Sequence, residues 1–263
     1  MSANLDARLL AQHVLGWDTA GLLANAGDVA PENFPAAYET LVARRAAREP
    51  LAYITGHREF WGLELEVTPD VLIPRPETEL IVEAAIASMP ATQLFTVIDA
   101  CTGCGNVAIA LAHERKNARV VATDISEVAL AVARRNAARH GVESRVAFVL
   151  ADLFGDLAGP VDLITANPPY VPHRNAPGLQ PEVGDHEPHV ALFGGGNDGL
   201  TLIERIVHDA PPLLRPGGFL IFEFGFGQEV EVEDLVNASS ELALLDLKRD
   251  LQGIARTAVA RRT

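Results

Sequence analysis

Leu5, Leu9, Leu10, Val14 and Leu15 recur at helical spacing and stop at Gly16, which predicts a first amphipathic helix. Residues 19–26 predict a second short helix, and residues 31–49, rich in Ala and Arg, a third. The period then changes. Trp61, Leu63, Leu65 and Val67 alternate with Gly62, Glu64 and Glu66, the pattern of a half-buried strand, and predict a β-hairpin. Pro74-Arg75-Pro76 opens a new helix, with Pro76 near its first turn and Glu77 and Glu79 at the positive end of its dipole.

From there, apolar runs of strand length alternate with helical patterns. Residues 95–100 and 119–123 read as buried strands, with a helix from Val107 to Ala112 between them. Ser126 caps the next helix, Val128, Leu130, Ala131 and Val132 give its apolar face, and Gly141 stops it. Residues 146–150, 161–166 and 218–224 are further strands, and 242–247 with 257–260 form a closing pair. This alternation predicts an α/β fold whose parallel strands carry helices on both faces. The chain divides into residues 1–70, a helical bundle plus hairpin linker, and residues 71–263, the α/β domain. A 263-residue chain with 48% hydrophobic residues can bury cores for one large domain and a small one.

Three segments at strand ends carry candidate chemistry. After the first α/β strand comes Cys101-Thr102-Gly103-Cys104-Gly105-Asn106, where glycines permit tight turning and close backbone approach to a ligand. This is not the dinucleotide fingerprint, because Cys101 takes its first glycine position and the spacing differs. Asp124 ends the second strand, 19 residues beyond Gly105, where an acid hydrogen-bonds ribose hydroxyls in nucleotide sites. Asp152 follows the third strand, placed to accept from an adenine amino group or to cap a helix.

The fourth strand ends in Asn167-Pro168-Pro169-Tyr170. An amide or exocyclic amine is a poor nucleophile, its lone pair being delocalised, so methylating it depends on orientation more than on a strong base. The Asn167 carbonyl and the Pro168 main-chain carbonyl supply two acceptors for an NH₂ group. Tyr170 either stacks on the flat group or walls the pocket. Asn-Pro also starts ordinary turns, and only the donor loop upstream favours the chemical reading. In an open α/β sheet, ligands lie outside the carboxyl ends of strands where strand order reverses, so the Gly103 loop and Asn167 share one crevice if their strands flank that point.

The remaining features narrow the field. A net charge of −14 argues against a nucleic-acid binder. No run of 18 apolar residues occurs, and Asp6, Arg8, Asp18 and Asp28 stand where a signal-peptide core would lie, so a cytoplasmic protein without a membrane span is expected. Cys101 and Cys104 form C-x-x-C between strand and helix, as in thiol redox sites, but the flanking glycines and Asp124 fit a cofactor loop better. Two cysteines cannot make a four-ligand zinc site, and His186 and His189 lack further spaced ligands, so no metal is expected. Residues 171–197, long, polar and directly after Tyr170, read as a cover for an incoming peptide. Arg75 either touches a ligand or pairs with a carboxylate.

With Asn167 to Tyr170, several segments carry a resemblance: Glu49-Pro50-Leu51-Ala52-Tyr53-Ile54-Thr55-Gly56, Arg58-Glu59-Phe60-Trp61-Gly62 and Leu72-Ile73-Pro74-Arg75-Pro76-Glu77-Thr78-Glu79. Later come Ala191-Leu192-Phe193-Gly194-Gly195 and Asp250-Leu251-Gln252-Gly253-Ile254. Over nearly its whole length the chain resembles the HemK/PrmC family, S-adenosyl-L-methionine-dependent methyltransferases that modify the glutamine of the Gly-Gly-Gln motif in class I peptide chain release factors. The resemblance implies a Rossmann-like methyltransferase domain, with a mostly parallel seven-stranded sheet, behind a small N-terminal domain that helps bind the release factor. It implies that Cys101, Thr102, Gly103, Cys104 and Gly105 form the loop around the methionine part of the cofactor, with Cys101 standing where the family's commonest residue is glycine. Asp124 then meets the ribose, Asp152 and Leu153 lie beside the adenine, and Asn167, Pro168, Pro169 and Tyr170 hold the substrate glutamine while Asn167 also borders the cofactor. Glutamine methylation of a ribosomal protein and adenine methylation of DNA are the alternatives; acidic charge and lack of a target-reading domain disfavour DNA.

Overall fold

The computed structural model describes residues 3–89 and 92–263. At the amino end, α1 (Ala3–Leu15), α2 (Thr19–Ala24), α3 (Phe34–Ala46) and the short α4 (Leu51–Thr55) make a small bundle. Its interior holds an ion pair as well as apolar contacts. Asp6 of α1 is buried and Arg45 of α3 donates to it at 2.8 Å, while Leu10 closes the same side. The hairpin follows as β1 (His57–Phe60) and β2 (Leu63–Glu66), paired antiparallel. Trp61, read in the sequence as a strand position, sits instead in the turn with Gly62, both at positive φ. A two-residue turn of that kind requires both residues to leave the β region.

The rest is one sheet and the helices that cover it. In chain order come α5 (Glu79–Ser88), β3 (Phe95–Ala100), α6 (Asn106–Glu114), β4 (Ala118–Asp124), α7 (Glu127–Arg139), β5 (Val146–Leu150) and β6 (Val161–Ala166). After the short α8 (Pro181–Gly184) and α9 (Thr201–Asp209) come β7 (Leu214–Glu223), α10 (Glu229–Ala238), β8 (Leu242–Arg249) and β9 (Ala255–Arg262). The seven strands lie in the order β5-β4-β3-β6-β7-β9-β8, with β9 antiparallel to both its neighbours. The last long strand begins earlier than its apolar run indicates, at Leu214.

Strand alternation sorts the core into two layers. Val97, Leu163 and Ile221 point to the face covered by α5, α6, α7 and the hairpin, whereas Ile98, Ile164 and Leu220 point to the face covered by α9 and α10. Phe60, Leu63, Leu65 and Val67 of the hairpin region belong to the first layer. The chain runs outward from β3 through β4 to β5 and then returns to β6 beside β3, so β3 and β6 flank the reversal in strand order.

Asn136 joins three parts of this first layer. It is completely buried on α7; its Oδ1 accepts from the Glu66 N–H at 2.7 Å, and its Nδ2 donates to the Glu66 and Cys104 carbonyls at 3.0 Å each. One side chain thus ties the hairpin to the loop after β3. Asn136→Ala strands all three backbone groups away from water and is expected to cost roughly 2–4 kcal/mol, measured as the shift in urea unfolding.

Candidate functional site

At the carboxyl ends of β3, β4, β5 and β6 lies a cavity of about 230 Å³. Cys101, Thr102, Gly103 and Cys104 come to it from the β3 loop, Asp124 and Ile125 from β4, Asp152 and Leu153 from β5, and Asn167 and Pro169 from β6. Asp70, Val71, Leu72 and Pro74 close it from the segment before α5, and Val190, Ala191 and Phe193 from the loop after β6. Residues 171–197 thus contribute Val190, Ala191 and Phe193 to the wall, while Asp70 has no counterpart among the candidate residues read from the sequence. Gly105 and Pro168 do not line the cavity.

Gly105 does different work. It stands at φ +85° before α6, and a Cβ there would lie 2.9 Å from Ile109 Cδ1 and 3.1 Å from Ala133 Cβ, so glycine lets α6 approach α7. Gly103, at φ +55°, has no atom within 4 Å of such a Cβ; because Gly103 lines the cavity, that space is left for a ligand. Cys101 is also left-handed, at φ +58°. Glycine suits that backbone better, which gives a physical reason for the glycine that the family resemblance implies there.

Asp124 organises the loop. Its Oδ2 accepts from the Gly103 N–H at 2.8 Å and its Oδ1 from the Ser126 N–H at 2.9 Å. Burial pushes its carboxyl up from the usual range while these amides hold the charge. Each oxygen keeps a lone pair for a hydroxyl donor. Asp152 is exposed on the rim, where Arg205 donates to it at 3.0 Å.

The fit to an adenosyl sulfonium donor follows from the ionisable lining. Asp70, Asp124 and Asp152 are carboxylates, and no Lys, Arg or His joins them. Such a cavity attracts a cation, which suits the sulfonium donor. Ile125, Ala129 and Leu153 supply apolar surface for a flat base. Cys104 is buried and Cys101 half-buried; burial pushes Cys104 up to about 12 and raises Cys101 as well, which disfavours the thiolate that redox exchange needs.

Asn167 stands between this cavity and a smaller one of about 120 Å³ that it lines with Leu72, Arg75, Tyr170, Leu179 and Val183. Its Nδ2 donates to Thr78 Oγ1 at 3.1 Å, and its carbonyl oxygen accepts nothing among the described residues. The Pro168 carbonyl is likewise without a hydrogen bond there. Tyr170 lines the smaller pocket and not the larger, and its hydroxyl donates to the buried Glu223 at 2.8 Å, which makes it a tethered wall. Arg75 pairs with buried Glu187 at 2.5 Å, and Glu187 also accepts from the Ile73 N–H. Thr78 and Glu223 were missed in the sequence; an acid inside the apolar run Phe222-Glu223-Phe224 was the available signal.

Residues 1–56 match the PrmC N-terminal domain family and residues 78–179 the methyltransferase small domain family. The release factor glutamine methyltransferase of Bradyrhizobium diazoefficiens is 42% identical over 263 residues, covering 99% of this chain and 88% of that protein. That of Cereibacter sphaeroides is 45% identical over 259 residues, covering 98% and 91%. Among solved structures, a methyltransferase from Pyrococcus furiosus superposes with a TM-score of 0.57 at 18% identity, covering 85% of this chain and 98% of that one. The ribosomal protein L11 methylase of Lactobacillus delbrueckii subsp. bulgaricus gives 0.53 at 21%, covering 72% and 80%. These structures share the fold.

Two outcomes test the loop. Gly105→Ala must push α6 from α7 and strain its own backbone, with an expected loss of about 2–3 kcal/mol in urea unfolding, whereas Cys101→Gly leaves the loop intact and methyl-donor affinity within about threefold of wild type by calorimetry. The second concerns pH. Asp99 is fully buried, accepts from Thr102 and Thr165 hydroxyls, and is pushed by burial up to about 6. Its folded-state pKa exceeds the unfolded value of about 3.9, so its contribution to stability is present below pH ~4 and is lost as pH rises through about 6. Unfolding free energies of wild type and Asp99→Asn should therefore diverge between those limits, with the variant relatively more stable at pH 7 than at pH 4.

Proposed function

The chain belongs to the release factor glutamine methyltransferase family, and from that premise we infer that it transfers the methyl group of S-adenosyl-L-methionine to the side-chain amide nitrogen of the glutamine in the Gly-Gly-Gln motif of class I peptide chain release factors. The observation that carries this reading is the position of Asn167, in the wall common to the acidic cavity and the smaller pocket. The donor belongs in the first and the glutamine amide in the second. A surface groove of about 650 Å³ shares Tyr170, Val171 and Leu179 with the smaller pocket and gives the peptide a way in.

S-Adenosyl-L-methionine, when bound, supplies an electrophilic methyl. The protein's part is to hold the acceptor. The Asn167 carbonyl takes one amide hydrogen and the Pro168 carbonyl the other, which aims the nitrogen lone pair along the line of displacement. As nitrogen gains positive charge its hydrogens become stronger donors, so both acceptors grip the transition state more tightly than the ground state. Neither is basic enough to keep a proton, and the surplus proton passes to water. Leu72, Tyr170 and Ala191 line the pocket around the acceptor. Thr102, Gly103 and Asp124, with Cys101 and Cys104 beneath, hold the cofactor, and Asp152 and Leu153 flank its base.

Residues 1–70 act as the part that grips the substrate protein and 71–263 as the catalytic domain, a division supported by the separate family matches. Arg45 of α3 and Arg48 just after it both reach Glu182 in the loop after β6, at 3.0 and 2.6 Å, so the bundle touches the segment that lines the acceptor pocket. A release-factor substrate fits work in the cytoplasm, and the acidic charge of the chain fits an absence of direct DNA contact.

The test is transfer of labelled methyl from S-adenosyl-L-methionine to a class I release factor, beside one whose Gly-Gly-Gln glutamine is replaced by alanine. Label on the first alone is the expected result; label on neither, or on both, overturns the assignment. In the same assay Asn167→Ala should lower kcat by about 100-fold or more while donor affinity changes little, since it loses an acceptor used in the transition state.

A further inference from the structure

Phe226 stands where burial would not put it. It is 75% exposed, and no other Phe, Tyr or Trp among the described residues lies so far out in solvent. Its backbone is nevertheless held. Gln228 is buried and uses its whole amide: Oε1 accepts from the Gly225 N–H at 2.6 Å, and Nε2 donates to the Tyr170 carbonyl at 3.0 Å and the Asp198 carbonyl at 2.8 Å. The turn Gly225-Phe226-Gly227 is thus tied to the end of the Asn167-Pro168-Pro169-Tyr170 segment. It also rests on that segment, since a Cβ at Gly225 would lie 3.0 Å from Tyr170 Cδ2. With glycine on both sides of Phe226, neither adjacent residue has a side chain to cover the ring. An aromatic held out in water by a fixed turn adds little to folding, and such residues anchor partners.

Phe226 lines the groove of about 650 Å³, and that groove shares Tyr170, Val171 and Leu179 with the acceptor pocket. A glutamine seated in the pocket places its chain neighbours in the groove, because each residue advances the chain by only about 3.5 Å. In a Gly-Gly-Gln segment the neighbours on one side are two glycines. They offer no side chain to grip, so recognition must meet their peptide planes directly, and a flat apolar ring does so only if no Cβ holds it off. Charge does not compete with that contact: Arg174 and Arg256 balance Asp198 and Glu231 in the groove wall. Arg256 is moreover paired with Asp250 at 3.0 Å.

We propose that Phe226 reads the glycine pair: its ring, presented by the turn that Gln228 ties to Tyr170, packs on the Gly-Gly peptide planes of the release factor and holds the glutamine in the acceptor pocket. This rests on the glutamine-methylation reading of the same site. Asn167 then orients the amide, and Phe226 selects the chain that carries it.

The experiment measures methyl transfer from S-adenosyl-L-methionine to a class I release factor by wild type, Phe226→Ala, Phe226→Tyr and Val230→Ala. Each is assayed with the wild-type factor and with a factor whose first motif glycine is replaced by alanine. With the wild-type factor, Phe226→Ala should raise KM about 10- to 50-fold, with kcat within about threefold and donor affinity by calorimetry unchanged. Phe226→Tyr keeps the ring and should stay within about threefold of wild type. Val230 is 66% exposed on α10 and is not part of the groove wall, so Val230→Ala should leave KM unchanged. With the alanine factor, wild-type kcat/KM should fall, and Phe226→Ala should lower it less than about threefold further, because the contact is already lost. Wild-type KM in Phe226→Ala, an equal rise in Val230→Ala, or full additivity of the two changes overturns the proposal. So does a shift from dimer to monomer in Phe226→Ala with KM unchanged, which assigns the surface to a second copy of the chain. If the wild-type protein labels no release factor, the substrate reading falls and the proposal with it; if wild type and Phe226→Ala label it equally well, only the proposal falls.

Discussion

The Asp99 carboxylate holds the two halves of the site together. It sits on β3, fully buried, and accepts the Thr102 hydroxyl of the donor loop at 2.6 Å through one oxygen and the Thr165 hydroxyl of β6 at 2.7 Å through the other. Asp99 and Thr165 face each other in the β3–β6 register, two residues before Asn167. Every distance between donor and acceptor therefore depends on a parallel strand pair locked by one side chain. The cost is a desolvated charge, and two short hydroxyl donors offset it only in part. A methyl transfer that relies on alignment rather than on a base has reason to accept that cost, since a small misplacement of either partner loses rate.

Around that lock the remaining polar contacts tie loops that have no regular structure of their own. Asp124 fixes Gly103, Asn136 fixes Cys104 and the hairpin, Thr123 donates to the Leu153 carbonyl at 2.6 Å, and Glu187 holds Ile73 and Arg75. Each pins a backbone that lines or borders the cavity to a strand or helix. The pattern explains how so much of the site stands on loops while its geometry stays defined.

The strands and main helices were legible because each has a single dominant period: residues 95–100, 146–150 and 161–166 coincide with β3, β5 and β6 end to end. So was the meeting of the Gly103 loop, Asp124 and Asn167 at one cavity, since topology delivers strand ends to one edge of the sheet. Trp61 was misplaced because an alternating pattern does not reveal where a hairpin turns. Thr78, Asn136 and Glu223 were opaque for another reason. Their roles are set by partners far off in the chain, and a buried polar residue carries no mark of which backbone or hydroxyl it will meet. Cys101 is the intermediate case: the sequence shows an unusual residue, and only its positive φ shows why glycine is the easier choice there.

Charge also gives the site a direction. The donor carries a positive sulfur before transfer and a neutral one after it, while the cavity wall holds the carboxylates of Asp70, Asp124 and Asp152, the last paired with Arg205 at the rim. Fixed negative charge favours a sulfonium over a neutral thioether, because that attraction disappears with the methyl. Rings and ribose hydroxyls are common to both forms and cannot discriminate. An acidic cavity helps to gather donor and to release product, and it asks for no movement of the loop locked by Asp99. The neighbouring pocket, lined by Asn167, offers a side-chain carbonyl and no fixed charge at that residue, so a neutral group would be held there by orientation and not by charge.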